Sequence, residues 1–424
     1  MAIQQNFPDE GPTLNLNFAG SRTLDPRITF TRTSSATYTG PDGLIKIAPV
    51  NSPRFDHLYN STTGEIESLG LLVEEARTNL LLRSEEFGTT WSPLNVTVSA
   101  DTSASPTGSL NADTITPAAS AAAHLISQIA TVPASMPHTA SVYIKNDGAP
   151  FVQVVYDNGS SVGAFINVNT STGAITRGPA ATGGATGTTG SVTSVGNGWY
   201  RINVGATHTG TIGRILVSPL PSGSSTASIN PSTTTAVTDK VILWGSQLEA
   251  GSFPTSYIPT SISTATRTAD NASMRGENFS SWYNQSEGSV YQEFIQNTNL
   301  TNGVTYLNSG GNVNEAIRLF YNEGVSNYFY SVRTGGVEQS SITNLGGPNA
   351  GFRERIAFTY KNNDLSACRN GGALSTDSTA SIPNTINRIE FGTTQVPTYL
   401  NGTLQRWCYY PKRLPNAFLQ NLTK

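Results

Sequence analysis

Forty glycines and 23 prolines are scattered along 424 residues without a repeating period, and this punctuation constrains the fold more than any other feature. Each interior glycine or proline weakens or breaks a helix, so what survives between the breaks is short. Those short runs alternate. Leu14-Asn15-Leu16-Asn17-Phe18 places its apolar side chains on one face of a strand. Residues 139–145, 151–156, 198–204, 213–217 and 241–249 read the same way. So do 288–294, 316–321, 328–332, 355–360, 388–392 and 403–410. Asp157-Asn158-Gly159 adds a hairpin signal. The expected fold class is all-β: two antiparallel β-sandwiches preceded by an irregular N-terminal region.

Charged residues make up 12% of the chain, about half the usual share. The polar surface must therefore come from Ser, Thr, Asn and Gly, which favour turns and strands over helix. Twenty-five basic and 28 acidic residues lie singly, for a formal charge of −3. Nucleic-acid binding is not expected, because counterion release needs clustered Lys and Arg. No apolar run reaches a membrane-spanning length, so membrane insertion is not expected either. Met1 to Gln5 lack the basic and apolar regions of a secretion leader. Cys368 and Cys408 are expected as free buried thiols, with a pairing across neighbouring strands as the alternative.

Three sections follow from the strand signals. Residues 1–85 read as an irregular anchor or assembly region, ending in an extended clasp over 69–81. Residues 86–262 carry the first sandwich, with a weak loop or strand pair at 178–190 and a surface excursion at 221–237. A Ser/Thr stretch to about residue 266 reads as a hinge, and residues 263–424 carry the second sandwich, closing in a short helical turn.

Several segments carry a resemblance. Leu72-Val73-Glu74-Glu75-Ala76-Arg77-Thr78-Asn79-Leu80-Leu81, with Ser84 to Phe87 and Trp91 after it, resembles a segment of bacteriophage tail-fibre, baseplate and other virion proteins. There it precedes a jelly roll like a carbohydrate-binding module. Ala112 to Ile115, His124 to Gln128, Ser141 to Lys145, Gly198 to Arg201 and Gln247 to Thr260 extend the match. Tyr399 to Leu414, then Leu419, is similar to the concanavalin A-like (laminin G-like) domains that end such proteins. The resemblance covers residues 65–424. It implies a virion protein, made in the host bacterial cytoplasm and exposed on the particle. A tail fibre or tail-associated adhesin is expected, partnered by other virion proteins and by itself as a homotrimer, with host cell-surface glycan as ligand. A capsid or baseplate decoration protein and a glycan-degrading tail enzyme are the alternatives.

No catalytic frame stands out, and the chain is expected not to be an enzyme. His57, His124, His138 and His208 are scattered without ligand spacing. Glu74-Glu75 and Glu85-Glu86 are adjacent, so each pair splits between two faces of an extended chain. The family likeness implies a structural calcium, for which Asp113 and Glu249 are the candidates; the competing reading is a carboxylate that locks a loop by hydrogen bonds. Sugar binding needs an exposed aromatic flanked by amides and carboxylates. Trp91, Tyr156 with Asp157 and Asn158, and Tyr328 with Tyr330 are the candidates, against core packing for each. Arg77 and Asn79, spaced by two, point the same way from an extended chain and suit pinning the clasp to a neighbouring domain or subunit.

Overall fold

The computed structural model describes residues 11–348, 350–395 and 398–424; the leader pattern sought at Met1 to Gln5 lies outside the described residues. Antiparallel sheets stacked as β-sandwiches make up nearly all of it. One sheet runs Ser375–Asp377, Leu365–Arg369, Arg353–Lys361, Glu287–Gln296, Gly402–Tyr410, Ile66–Val73, Phe55–Tyr59, with Leu14–Leu16 also paired to Gly402–Tyr410. Its partner runs Thr29–Thr31, Asn271–Arg275, Arg388–Phe391, Asn302–Ser309, Asn312–Asn322, Asn327–Thr334, Val337–Ile342.

Residues 11–85, the described part of the expected irregular anchor, are therefore not irregular. Leu14, Leu16, Phe18, Ile28, Phe30, Leu71 and Val73 share one core with Phe294, Phe391, Trp407 and Tyr409. The physical reason is register. The Leu14 to Phe18 alternation needs an apolar face, and it finds one beside the last strand, with Asn15 opposite Cys408.

Between the two halves of that sandwich the chain makes another. Arg77–Asn79 leads out, Ala265–Arg267 leads back, and the two segments pair antiparallel with Asn79 opposite Ala265. The hinge read at residue 266 is thus one side of a two-stranded neck. Within the excursion, a sheet ordered Thr186–Gly196, Trp199–Thr207, Pro137–Asp147, Lys240–Ala250, Leu110–Pro117, Val96–Ala104 stacks on a second. That second sheet runs Ile175–Thr182, Gly163–Asn169, Phe151–Asp157, Ile212–Leu220, Leu125–Thr131, Ser92–Leu94. Val142, Ile202 and Leu243 meet Val154, Ile166 and Val217 in the core between them. The Gly/Ala/Thr stretch at 178–190 supplies parts of two edge strands, Ile175–Thr182 and Thr186–Gly196.

The hairpin of Ala36–Thr39 and Ile45–Ala48 lies across the outside of this inner sandwich. There Ile45 packs with Tyr143, Trp199, Trp244 and Tyr257. The N-terminal section thus touches both bodies.

Cys368 and Cys408 are free and buried. Cys368 stands opposite Ala357, Ala357 opposite Tyr291, and Tyr291 opposite Cys408. Three strand spacings, about 14 Å, separate the two thiols, too far for a disulfide. The closing helix Asn416–Leu422 covers this row, with Leu419 buried against it.

Candidate functional site

The joint between the sandwiches holds a knot of buried charge that sequence spacing did not suggest. Arg54 lies at its centre. Its Nη1 sits 2.8 Å from Glu74 and donates to the Thr37 carbonyl at 2.9 Å and Ser256 Oγ at 2.7 Å, while Nη2 pairs with Asp270. Arg32 reaches the other Asp270 oxygen at 3.1 Å, and Arg267 reaches Glu74 at 2.6 Å. Ser256, on the returning chain, donates its N–H and hydroxyl to Glu74 at 2.8 and 2.7 Å. Burial alone would push the Glu74 carboxyl up, but the Arg267 and Arg54 guanidiniums and the Ser256 donors outweigh it and hold the group at about 2. Burial likewise opposes charge on Arg54, and Asp270 and Glu74 overcome it, raising its pKa.

Beside the knot a cleft of about 570 Å³ opens between the N-terminal section and the inner sandwich. Asp56, Tyr59, Thr39, Arg201, Asn203 and Thr193 are among its lining residues. Alternation along Trp199–Thr207 puts Trp199, Arg201 and Asn203 on one face; Trp199 is buried under the hairpin, while Arg201 and Asn203 look into the cleft. Arg201 lies over the Tyr143 ring at 5.4 Å and donates to Ser141 Oγ at 3.0 Å. Asn203 Nδ2 donates to Ser191 Oγ at 2.6 Å. Asp56 accepts the Thr39 N–H at 2.7 Å. Burial raises the Asp56 carboxyl to about 6, outweighing that hydrogen bond and the attraction of Arg54. His57 is turned to the Thr39 carbonyl at 3.0 Å, and burial pushes its pKa below the usual imidazole value.

The aromatic platforms expected from sequence are corrected by burial. Trp91 is 5% exposed and packs on Phe87 at 4.7 Å between ring centroids. Tyr156 is fully buried between the rings of His138 and His208. Asp157 is buried in a bidentate pair with Arg214 at 2.9 and 2.6 Å. Asn158 organises its own turn, accepting from Ser160 and Val162. Tyr328 and Tyr330 enter the core, where Tyr330 stacks on Phe358 at 4.6 Å. A ring inside a core has no face to offer a sugar.

The two calcium candidates do not converge. Asp113 takes the N–H groups of Phe87 and Asp101 at 2.8 and 3.0 Å. Glu249 takes Thr255 N and Oγ1 at 2.8 and 2.7 Å and Gln247 Nε2 at 2.7 Å. Asp113 stands opposite Leu243, so Glu249 lies six residues, roughly 20 Å, further along that strand. Each carboxylate is instead turned onto backbone N–H donors of nearby loops and strands, the arrangement of a carboxylate that locks a loop. These residues do not fit a shared calcium, and no metal cluster of three or more His, Cys, Asp or Glu exists among the described residues.

Arg77 and Asn79 both face the inner sandwich. Asn79 Nδ2 donates to the carbonyls of Ser246 and Ile258 at 3.1 and 2.9 Å, and its Oδ1 accepts from Leu81 and Leu248 at 3.1 Å each. Arg77 lies 4.8 Å from the Phe253 ring centroid and pairs with Glu75 at 2.5 Å. Gly251 suits this place: its φ of +123° is one that other residues rarely adopt, and a Cβ added there would fall 1.8 Å from the Arg77 guanidinium.

No family model matches the chain, and no curated protein sequence matches it. Likenesses to solved structures are partial. A point mutant of the NanB sialidase from Streptococcus pneumoniae matches over 36% of this chain and 26% of its own, at 14% identity and a TM-score of 0.31. The CBM40 of a Ruminococcus gnavus sialidase, bound to alpha2,3 sialyllactose, matches over 34% and 86%, at 13% identity and a TM-score of 0.29. A SAP-like pentraxin from Limulus polyphemus matches over 32% and 70%, at 8% and 0.27. The chain thus spans about a quarter of the NanB sialidase's length. The all-β, sandwich-type fold rests on the chain's own sheets, and these likenesses carry nothing about a ligand.

Proposed function

We propose that the chain is a non-enzymatic structural protein of a bacteriophage particle, a tail fibre or tail-associated adhesin that takes host-surface glycan into the cleft beside the charge knot. In this reading a jelly-roll-like module is held by a concanavalin A-like sandwich, and the protein works as a homotrimer among other virion proteins. The observation that carries the glycan part is the cleft lining: hydroxyls, amides, half-buried Tyr38 and Tyr59, and one guanidinium, Arg201. Such a mixture suits a polyol with apolar ring faces. Hydrolysis asks for two working carboxylates. Asp56 is one, but the neighbouring Glu74 has its oxygens held by Arg54, Arg267 and Ser256.

The test is calorimetric titration of a panel of neutral bacterial-surface oligosaccharides, with immunogold labelling of the intact particle. Binding is expected, with Arg201→Ala and Asp56→Asn each weakening it about tenfold or more, the scale of one charged hydrogen bond. Unaltered affinity in both variants would remove the cleft from the proposal. Label on the capsid rather than the tail would favour the decoration role. Release of reducing sugar that disappears in Asp56→Asn would make the protein an enzyme instead.

A further inference from the structure

The outer face of the seven-stranded sheet carries a second arrangement, remote in sequence from the cleft. Cross-strand register sorts its outward side chains into rows. Arg275, Arg388, Asn308, Ala316, Arg333 and Glu338 form one. Ser273, Glu390, Tyr306, Arg318 and Ser331 form the next. Phe320 stands opposite Phe329 in a third, their rings stacked at 5.2 Å.

Arg275 and Arg388 are directly opposed, an arrangement that like charges disfavour. Both lean on one carboxylate, Glu390. The same motif recurs across the sheet, where Arg318 and Arg333 share Glu338 at 3.6 and 3.5 Å. Four guanidiniums therefore meet two carboxylates, and among the described residues the face keeps two uncompensated positive charges on a chain whose net charge is −3. Nε of Arg388 has no acceptor among the described residues. Beside Arg388, an open pocket of about 460 Å³ is lined by Arg275, Gln285 and Asn387. Arg318 also lies over the Phe320 ring at 4.9 Å, next to the half-buried Phe329.

We infer that this face binds a saccharide bearing an oxoanion, the guanidiniums taking the carboxylate or sulfate and the Phe320–Phe329 pair taking an apolar ring face. Each arginine offers a planar fork that fits an oxoanion in two-point contact, and aromatic rings accept the C–H face of a sugar. An extended polyanion such as nucleic acid fits less well, because Glu338 and Glu390 interrupt any continuous positive track. The site is independent of the glycan reading of the cleft.

The experiment is titration of the whole chain with oligogalacturonate, a sulfated galactan oligomer, their uncharged counterparts and single-stranded DNA. Oligogalacturonate or the sulfated oligomer is expected to bind, with affinity falling as salt is raised, and the two anionic arms show which oxoanion is preferred. Arg333→Gln should weaken binding about tenfold, Phe329→Ala should weaken it, and Glu338→Gln should strengthen it by removing the competing carboxylate. Opposite signs at neighbouring positions separate a binding effect from misfolding, which would lower affinity in all three. Arg201→Ala, in the cleft, should leave this affinity unchanged. Binding of the anionic oligomers that Arg333→Gln leaves unchanged, no binding of either anionic oligomer, or DNA binding alone would overturn the inference.

Discussion

Two carboxylates, Glu74 in the joint and Asp56 in the cleft beside it, are driven in opposite directions. Glu74 titrates at about 2 when folded, below its ordinary 4.5. A depressed carboxyl stabilises the fold above its unfolded pKa, and that contribution is lost as pH falls through the folded value. Acid unfolding is therefore expected to steepen between about pH 4.5 and 2, and Glu74→Gln should flatten that limb in urea titrations followed by circular dichroism. Asp56 is raised to about 6, so the folded state holds its proton more tightly and stability falls as pH rises from about 4 to 6. Asp56→Asn should then stabilise the protein by about 1 kcal/mol at pH 8, a figure reduced for its partial exposure, while weakening glycan binding. Stability given up at a residue that binds is a common signature of function. Removing one partner of a buried pair strands the others, so Arg54→Met should cost about 3–5 kcal/mol in the same titrations.

At the scale of elements, the neck is the most demanding piece. Asn79→Ala would leave two carbonyls and two N–H groups unpaired at a fully buried position. A loss of about 3 kcal/mol is expected, with faster hydrogen exchange at Leu81 and Leu248 as the local readout. Strands themselves were legible from sequence, because alternation reports which side chains share a face. It does not report which face is inward. Tyr328 and Tyr330 were separable from Phe329 by spacing, yet the tyrosines took the core and left the phenylalanine outside. Partners were hidden for a similar reason: nothing local to Leu14–Leu16 names Gly402–Tyr410 as its neighbour. The charge knot was the least legible feature. Its members are lone arginines and acids as far apart as Arg32 and Asp270, and only folding brings them to 3.1 Å. The cleft left one trace, the shared face of Arg201 and Asn203.

At the scale of the whole molecule, the knot ties three lengths of chain: the N-terminal section through Arg32, Arg54 and Glu74, the returning segment through Ser256, and the second half of the outer sandwich through Arg267 and Asp270. Both sandwiches are expected to melt together in calorimetry at neutral pH. In Arg54→Met the single transition should separate into two, since each body keeps its own core. Two transitions in the unmodified protein would show that the knot does not couple them. Both thiols should resist a thiol reagent until the protein is unfolded, because each is buried.

The pairing of Arg77–Asn79 with Ala265–Arg267 has a genealogical consequence. Cross-strand partners lie about 5 Å apart, so everything between residues 79 and 265 hangs from two points almost in contact. A recombination event could exchange that whole length for another module without asking the outer sandwich to rethread a single strand. If the proposed adhesin role holds, host range would then be rewritten by cassette, with only the outer residues that touch the module, such as Ile45 and Arg54, left to adapt.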